Sequence, residues 1–167
     1  LWIDEIEKSL GQSSGEADGG LSRRLFGYFL TWLQEKSQEI FVVATANDLS
    51  AIPPELLRKG RFDEIFFVDL PQADERRDIL RIHLERRQQG LENFNLEELV
   101  VATDGFSGAE IEQAVITAHY RALHENRPAN TALLLEEIKR TVPLSISRRE
   151  DIQRLRDVAR ERFVAAR

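Results

Sequence analysis

Hydrophobic positions follow two different rhythms along the chain, and the change between them falls near Pro71. The first part opens on Leu1, Trp2 and Ile3, an apolar run that stops at the adjacent carboxylates Asp4 and Glu5. Residues 40–45 form a continuous run rich in β-branched side chains, and residues 64–69 repeat that character around Phe66, Phe67 and Val68. Runs this short predict strands buried on both faces of a parallel sheet. Between the first two runs, Leu21, Leu25, Phe26, Phe29, Leu30 and Leu33 recur at helical spacing. They predict an amphipathic helix over 21–36 that covers one sheet face, with Arg23 and Arg24 on its polar side. Pro53 and Pro54 predict the start of a short helix through Leu57. The glycine- and serine-rich segment 11–20 has no apolar anchor and predicts a mobile loop.

From Gln72 onward the strand signal disappears. The predicted class is α/β: strands and helices alternating in a parallel sheet over residues 1–71, an all-α domain over 72–145, and a carboxy-terminal helix over 146–167. Residues 73–87 carry Ile79, Leu80, Ile82 and Leu84 on a first helix. The pairs Asn95/Glu98, Ser107/Glu110 and Ser147/Glu150 each read as a capping box that opens a helix. Ile111, Ala114, Val115, Ala118 and Ala122 mark the buried stripe of the helix after Ser107, with small residues that permit close packing. Residues 130–142 form a further amphipathic helix. The last stretch, 148–166, is charged on most faces and offers only Ile152, Leu155, Val158 and Phe163, so it needs a partner surface.

Composition narrows the function classes. A formal charge of -6 argues against a general electrostatic grip on nucleic acid or anionic membrane. No cysteine is present, which excludes disulfides and thiolate metal sites, and His83, His119 and His124 form no ligand pattern. The latter two read as helix-surface residues. Neither a membrane span nor a signal leader is visible, which makes the cytoplasm or a stroma-like soluble compartment the expected location. The chain begins inside a strand and holds no methionine, so it is expected to be a fragment of a longer protein.

The candidate chemistry begins with Asp4 and Glu5. A strand that delivers two carboxylates at its carboxyl end can set the first beside a magnesium ion and the second beside an attacking water. Taken alone, any strand running into a capped helix reads the same way. The companion phosphate loop would carry Gly-Lys, a dipeptide that occurs nowhere in the chain. Asn47 alone is a turn former, Arg58 and Arg61 alone are surface partners for Asp63 or Glu64, His83 alone is an exposed helix histidine, and Gly108 alone belongs to a helix cap.

Their order is more specific than any one of them. Asp4-Glu5, then Ala44-Thr45-Ala46-Asn47, then Leu56-Leu57-Arg58-Lys59-Gly60-Arg61-Phe62-Asp63, then Gly105-Phe106-Ser107-Gly108-Ala109-Glu110 resemble the AAA ATPases from the first residue to about Pro143. The opening, through Lys8, also looks like an uncharacterised AAA branch of cyanobacteria and chloroplasts. The resemblance implies the carboxy-terminal half of a P-loop NTPase parallel sheet over 1–71 followed by a helical lid over 72–145, with ATP and Mg2+ as cofactors. It implies that Asp4 supports the magnesium indirectly, that Glu5 polarises the lytic water, and that Asn47 senses the γ-phosphate. Arg58 and Arg61 would reach into a neighbouring subunit's site, His83 would meet ribose or adenine, and Gly108 and Ala109 would let backbone approach the nucleotide. With Ala109 in place of arginine, the cis-acting lid arginine of wider relatives is absent. Segment 11–20 resembles a loop facing the ring channel. The implied parent is a homo-oligomer, a hexameric ring that hydrolyses ATP to remodel a protein substrate. The alternative is a nucleotide-dependent assembly module with little turnover, and a DNA-handling role is disfavoured by the acidity. Without its phosphate loop, this chain alone is expected to be inactive.

Overall fold

A computed structural model of the chain describes residues 1–10, 19–35, 39–58 and 60–166. These fall into two units, Leu1–Phe66 and Phe67–Arg167. In the first, β1 (Trp2–Ile3) runs parallel to β2 (Val43–Ala44), with Trp2 opposite Val43 and Ile3 opposite Ala44. The Leu1 and Ile3 carbonyls accept from the Val43 and Thr45 amides, each at 2.9 Å. Parallel neighbours require a crossover, and here it contains α1 (Ile6–Leu10) and α2 (Gly19–Glu35). Ile6, Leu33 and Leu56 are buried together, with Phe26, Phe29, Leu30 and Trp32 packed against them. Leu25 departs from the predicted stripe and is exposed. The Leu21 and Arg23 side chains and residues 11–18 of the expected loop lie outside the described residues, while Gly19 and Gly20 belong to α2.

The expected burial of two strands on both faces is not seen. Phe41 is 83% exposed and Val68 77%. Strand pairing covers only Val43–Ala44 in the first run and Phe66–Phe67 (β3) in the second. A strand is hidden on both faces only where layers lie on both, and among the described residues each sheet has two strands. The carbonyl of Phe67 accepts from the Ala166 amide at 3.0 Å, beside β4 (Val164–Ala165). The helix expected from Pro53 is also replaced. A 3-10 turn at Leu49–Ala51 is capped by Asp48, and the carbonyls of Pro53, Pro54 and Glu55 accept from amides only three residues on. Gly60, at φ +91, follows at once and leaves no length for a fourth-residue ladder.

The second unit is a helical domain. It contains α3 (Ala73–Arg86), α4 (Leu96–Ala102), α5 (Gly108–His124), α6 (Thr131–Arg140), α7 (Leu144–Ser147) and α8 (Arg149–Arg162). Leu80, Leu84, Leu99, Leu133 and Leu134 pack with the α5 stripe of Ile111, Ala114, Val115, Ala118 and Ala122, every one of which is buried as its spacing predicts. Ile82 lies on the other side of α3 and is exposed.

Helix starts depend on which oxygen is free. Ser107 and Glu110 form both arms of the predicted capping box. Asn95 caps α4 with its side chain, but its amide donates to Thr131 Oγ1 at 2.7 Å, so the reciprocal arm is missing. Ser147 does not open α8. It is the last residue of α7, its hydroxyl donates back to the Pro143 carbonyl at 3.4 Å, and Arg148 stands at the cap without a side-chain bond to the helix amides. The partner surface that α8 requires is found partly through Ala159, which is buried, and through Arg156, which grips Asp69 with Nε and Nη2 at 2.8 and 2.9 Å.

Two buried features hold the helices in register. The Arg76 guanidinium is 7% exposed and donates to the carbonyl of Pro71 at 2.9 Å and to that of Val100 at 3.3 and 3.2 Å. Val100 lies in the last turn of α4, where carbonyls lack helical partners and the dipole favours a cation. Gly105 holds φ +74, and a Cβ there would collide with the Ser145 side chain, whose own Cβ would lie at 2.9 Å. Arg76→Met is expected to cost about 2–4 kcal/mol in urea unfolding, because the buried Val100 carbonyl and the half-buried Pro71 carbonyl lose their donor. Gly105→Ala is expected to cost about 1–2 kcal/mol from the backbone alone, with a further loss that Ser145→Gly restores in the double variant.

Candidate functional site

The parallel pairing in the first unit sets the ends of β1 and β2 side by side, and Thr45 joins them. Its hydroxyl accepts from the Glu5 amide at 3.0 Å and donates to Asp4 Oδ1. The Thr45 carbonyl accepts from the Ile6 amide at 2.9 Å, so the start of α1 is tied to the same residue. Glu5 has φ +48, a left-handed conformation that costs a non-glycine residue roughly 1–2 kcal/mol. Four bonds oppose that cost. Besides the Thr45 contact, the Glu5 carbonyl accepts from the Lys8 amide at 2.9 Å, Oε1 accepts from Asn47 Nδ2 at 3.0 Å, and Oε2 accepts from Lys8 Nζ at 2.7 Å. The bond to Glu5 raises the Lys8 ammonium pKa above its ordinary value.

Asp4, Glu5 and Asn47 are therefore brought together, and the chain adds two groups that motif reasoning did not single out. Thr45 is one. Glu7 is the other: it is 5% exposed, its Oε1 accepts from the Asn47 amide at 3.1 Å, and its Oε2 is buried without a partner among the described residues. The only sequence signal for Glu7 is a third acid directly after an apolar residue at a helix start. Glu5, with its Oε1 held by the Asn47 carboxamide, is the carboxylate that can orient a water and accept its proton.

Arg58 and Arg61 share no hydrogen bond with this cluster. Arg58 is exposed with no side-chain partner among the described residues, and neither Asp63 nor Glu64 pairs with it. Arg61 is held within the chain: Nη1 donates to the Glu55 carbonyl, and Nε is buried without a partner among the described residues. Lys59 lies outside the described residues.

The remaining candidates belong to the second unit. His83 has a side chain 13% exposed, so it is not a free surface histidine. Burial lowers its pKa, and nearby Glu112 opposes that shift. Gly108 opens α5, and a Cβ there would meet Ile79 Cδ1 at 3.6 Å, an ordinary contact; packing within the chain does not demand a glycine. Ala109 beside it is exposed, as is His124, whereas His119 is half-buried.

Whether these residues fit a metal follows from their donors. Among the described residues no three metal-binding side chains gather. Mg2+ keeps several waters and commonly takes one or two carboxylates beside substrate phosphates. Asp4 Oδ2, free of protein partners among the described residues, fits that sparse role.

The comparisons with known proteins agree with the motif order. Residues 1–70 match the model of the ATPase family associated with various cellular activities (AAA), and residues 93–137 match that of the AAA+ lid domain. The chain is similar to the uncharacterized AAA domain-containing protein ycf46 of Guillardia theta, 46% identical over 160 residues, 95% of this chain and 32% of that protein. It is 32% identical over 162 residues to the cell division cycle protein 48 homolog of Archaeoglobus fulgidus, covering 95% of this chain and 22% of the relative. With the proteasome-activating nucleotidase of Saccharolobus solfataricus it shares 30% identity over 153 residues, 92% of this chain and 35% of the relative. The chain thus spans about a third or less of the length of these relatives. No helix among the described residues is long and apolar enough to cross a membrane. Two successive family matches, and relatives aligned along nearly all of its residues, place this chain in the AAA ATPase family.

Proposed function

We propose that this chain is the water-activating, sensing and neighbour-contacting part of a Mg-ATP hydrolase that works as a homo-oligomeric ring, hexameric by analogy with the family, to remodel a protein substrate. The observation that carries this reading is the cluster at the carboxyl ends of two parallel strands, in which Thr45 joins Asp4 to Glu5 and Asn47 bonds the Glu5 carboxylate. Residues 1–71 would belong to the nucleotide-binding domain, 72–145 to the lid and 146–167 to a terminal helix, in a cytoplasmic or stroma-like compartment.

Each role rests on the local chemistry. Glu5 takes the proton of the lytic water while Asn47 holds that water and the γ-phosphate in line. Asp4, anchored by Thr45, would support a bound Mg2+ indirectly through its free oxygen. Bound Mg2+ supplies charge neutralisation at the phosphates. Arg58 has no use within its own chain among the described residues, which suits a guanidinium offered to a neighbour's γ-phosphate. Arg61 supports that role from behind by bracing the turn at Glu55. His83, Gly108 and Ala109 meet the ribose and adenine.

Turnover of the full-length protein tests this. Glu5→Gln is expected to retain ATP binding and lose about 10²–10³-fold in kcat. Arg58→Ala is expected to lose about 10³-fold, with a wild-type rate per subunit that rises with protein concentration. Unchanged rates in both variants overturn the reading. The 167-residue chain alone, without a Gly-Lys phosphate loop, is expected to show no turnover; tight Mg-ATP binding in calorimetry would contradict that expectation.

A further inference from the structure

His83 is held between two helices by an incomplete arrangement. Its Nδ1 is buried with no partner in hydrogen-bond geometry among the described residues, and Glu112 Oε1 on α5 lies 3.3 Å from it. A carboxylate is an acceptor only, so the proton belongs on Nδ1, where a small ring rotation completes the bond. Nε2 is not buried and makes no hydrogen bond among the described residues, which leaves it for a ligand. The other charges facing the ring are Arg87 and Arg86, on its own helix. Arg87 Nη2 lies 3.4 Å from Glu112 Oε1, and its Nη1 donates to the His83 carbonyl at 3.0 Å, so Glu112 is itself steadied from behind.

We propose that Glu112 is a positioning residue: it holds His83 in the tautomer protonated at Nδ1, so that Nε2 accepts a hydrogen bond from a nucleotide donor, either a ribose hydroxyl or the 6-amino group of adenine. This rests on the reading of His83 as a nucleotide contact. Without the carboxylate, an imidazole reverts to the Nε2-protonated form that it favours in water, and the acceptor becomes a donor. The 6-amino group of adenine would then face a second donor, whereas a ribose hydroxyl would have to turn and accept instead. Arg87 and Arg86 oppose an imidazolium, as does burial, so the neutral ring is the working form and its tautomer decides the contact.

The tautomer is read directly by ¹H–¹⁵N correlation on the 167-residue chain labelled at histidine. The wild type is expected to show Nδ1–H at His83, and an Nε2–H wild type overturns the proposal without any variant. Glu112→Ala is expected to switch the ring to Nε2–H and to lower its pKa further, because Glu112 is the group that raises it. Arg87→Ala is expected to leave the tautomer as it is. In the full-length protein, His83→Ala and Glu112→Ala are each expected to weaken ATP binding about three- to tenfold, without adding in the double variant. If His83→Ala has no effect, the nucleotide reading fails; if it weakens ATP while Glu112→Ala does not, the positioning role alone fails. A loss shared by ATP and 2′-deoxyATP but absent with inosine triphosphate identifies the 6-amino donor, and a loss confined to ATP and inosine triphosphate identifies the 2′-hydroxyl.

Discussion

Everything the first unit offers chemically depends on β1 lying parallel to β2 in one register. Sliding either strand by one residue would turn Thr45 to the opposite face of the sheet and part its hydroxyl from both Asp4 and the Glu5 amide. The pairing is short, yet it is continued by the Ile6 amide on the Thr45 carbonyl, so the strand end and the first helical turn are fixed by the same residue. Glu5 can then occupy a backbone conformation that an isolated peptide would avoid. Local strain and long-range pairing are two aspects of one arrangement.

The second unit solves a different problem. Its helices carry a continuous apolar core, but they bring polar backbone ends with them. Arg76 answers this by placing one guanidinium on carbonyls at the end of α4 and just before α3. Around Arg121 a similar logic appears at the surface, where its guanidinium meets Glu125, Glu136 and the buried Glu137 at 2.7–2.8 Å. Arg140 shares Glu137, so the buried carboxylate keeps two cations and its place in α6 is held from both sides.

What the sequence discloses divides along the same physical line. The α5 stripe and the Ser107 cap are legible because their partners lie within a few residues, so spacing alone specifies them. Asp4, Glu5 and Asn47 are recognisable as types of residue in an order, and their meeting required only that two strands pair. The roles of Thr45, Glu7, Arg76 and Glu112 arise from contacts across about 25 to 40 residues, where periodicity carries no information. Ser147 misleads for a related reason: Pro143 starts a separate turn, and the hydroxyl that would open the next helix is already committed backward. The strand runs around Phe41 and Val68 have the composition of buried strands, but composition cannot say whether a covering layer is part of the same described set of residues.

The two oxygens of Glu5 are anchored unequally. Oε1 is held by the neutral carboxamide of Asn47, while Oε2 is held by the exposed ammonium of Lys8. Dissolved ions weaken an exposed charge pair far more than a bond between a carboxylate and an amide. Rising ionic strength would thus unfasten one oxygen and leave the other in place. The carboxylate would become a gate hinged on Asn47, its free side turning with the composition of the surrounding solution.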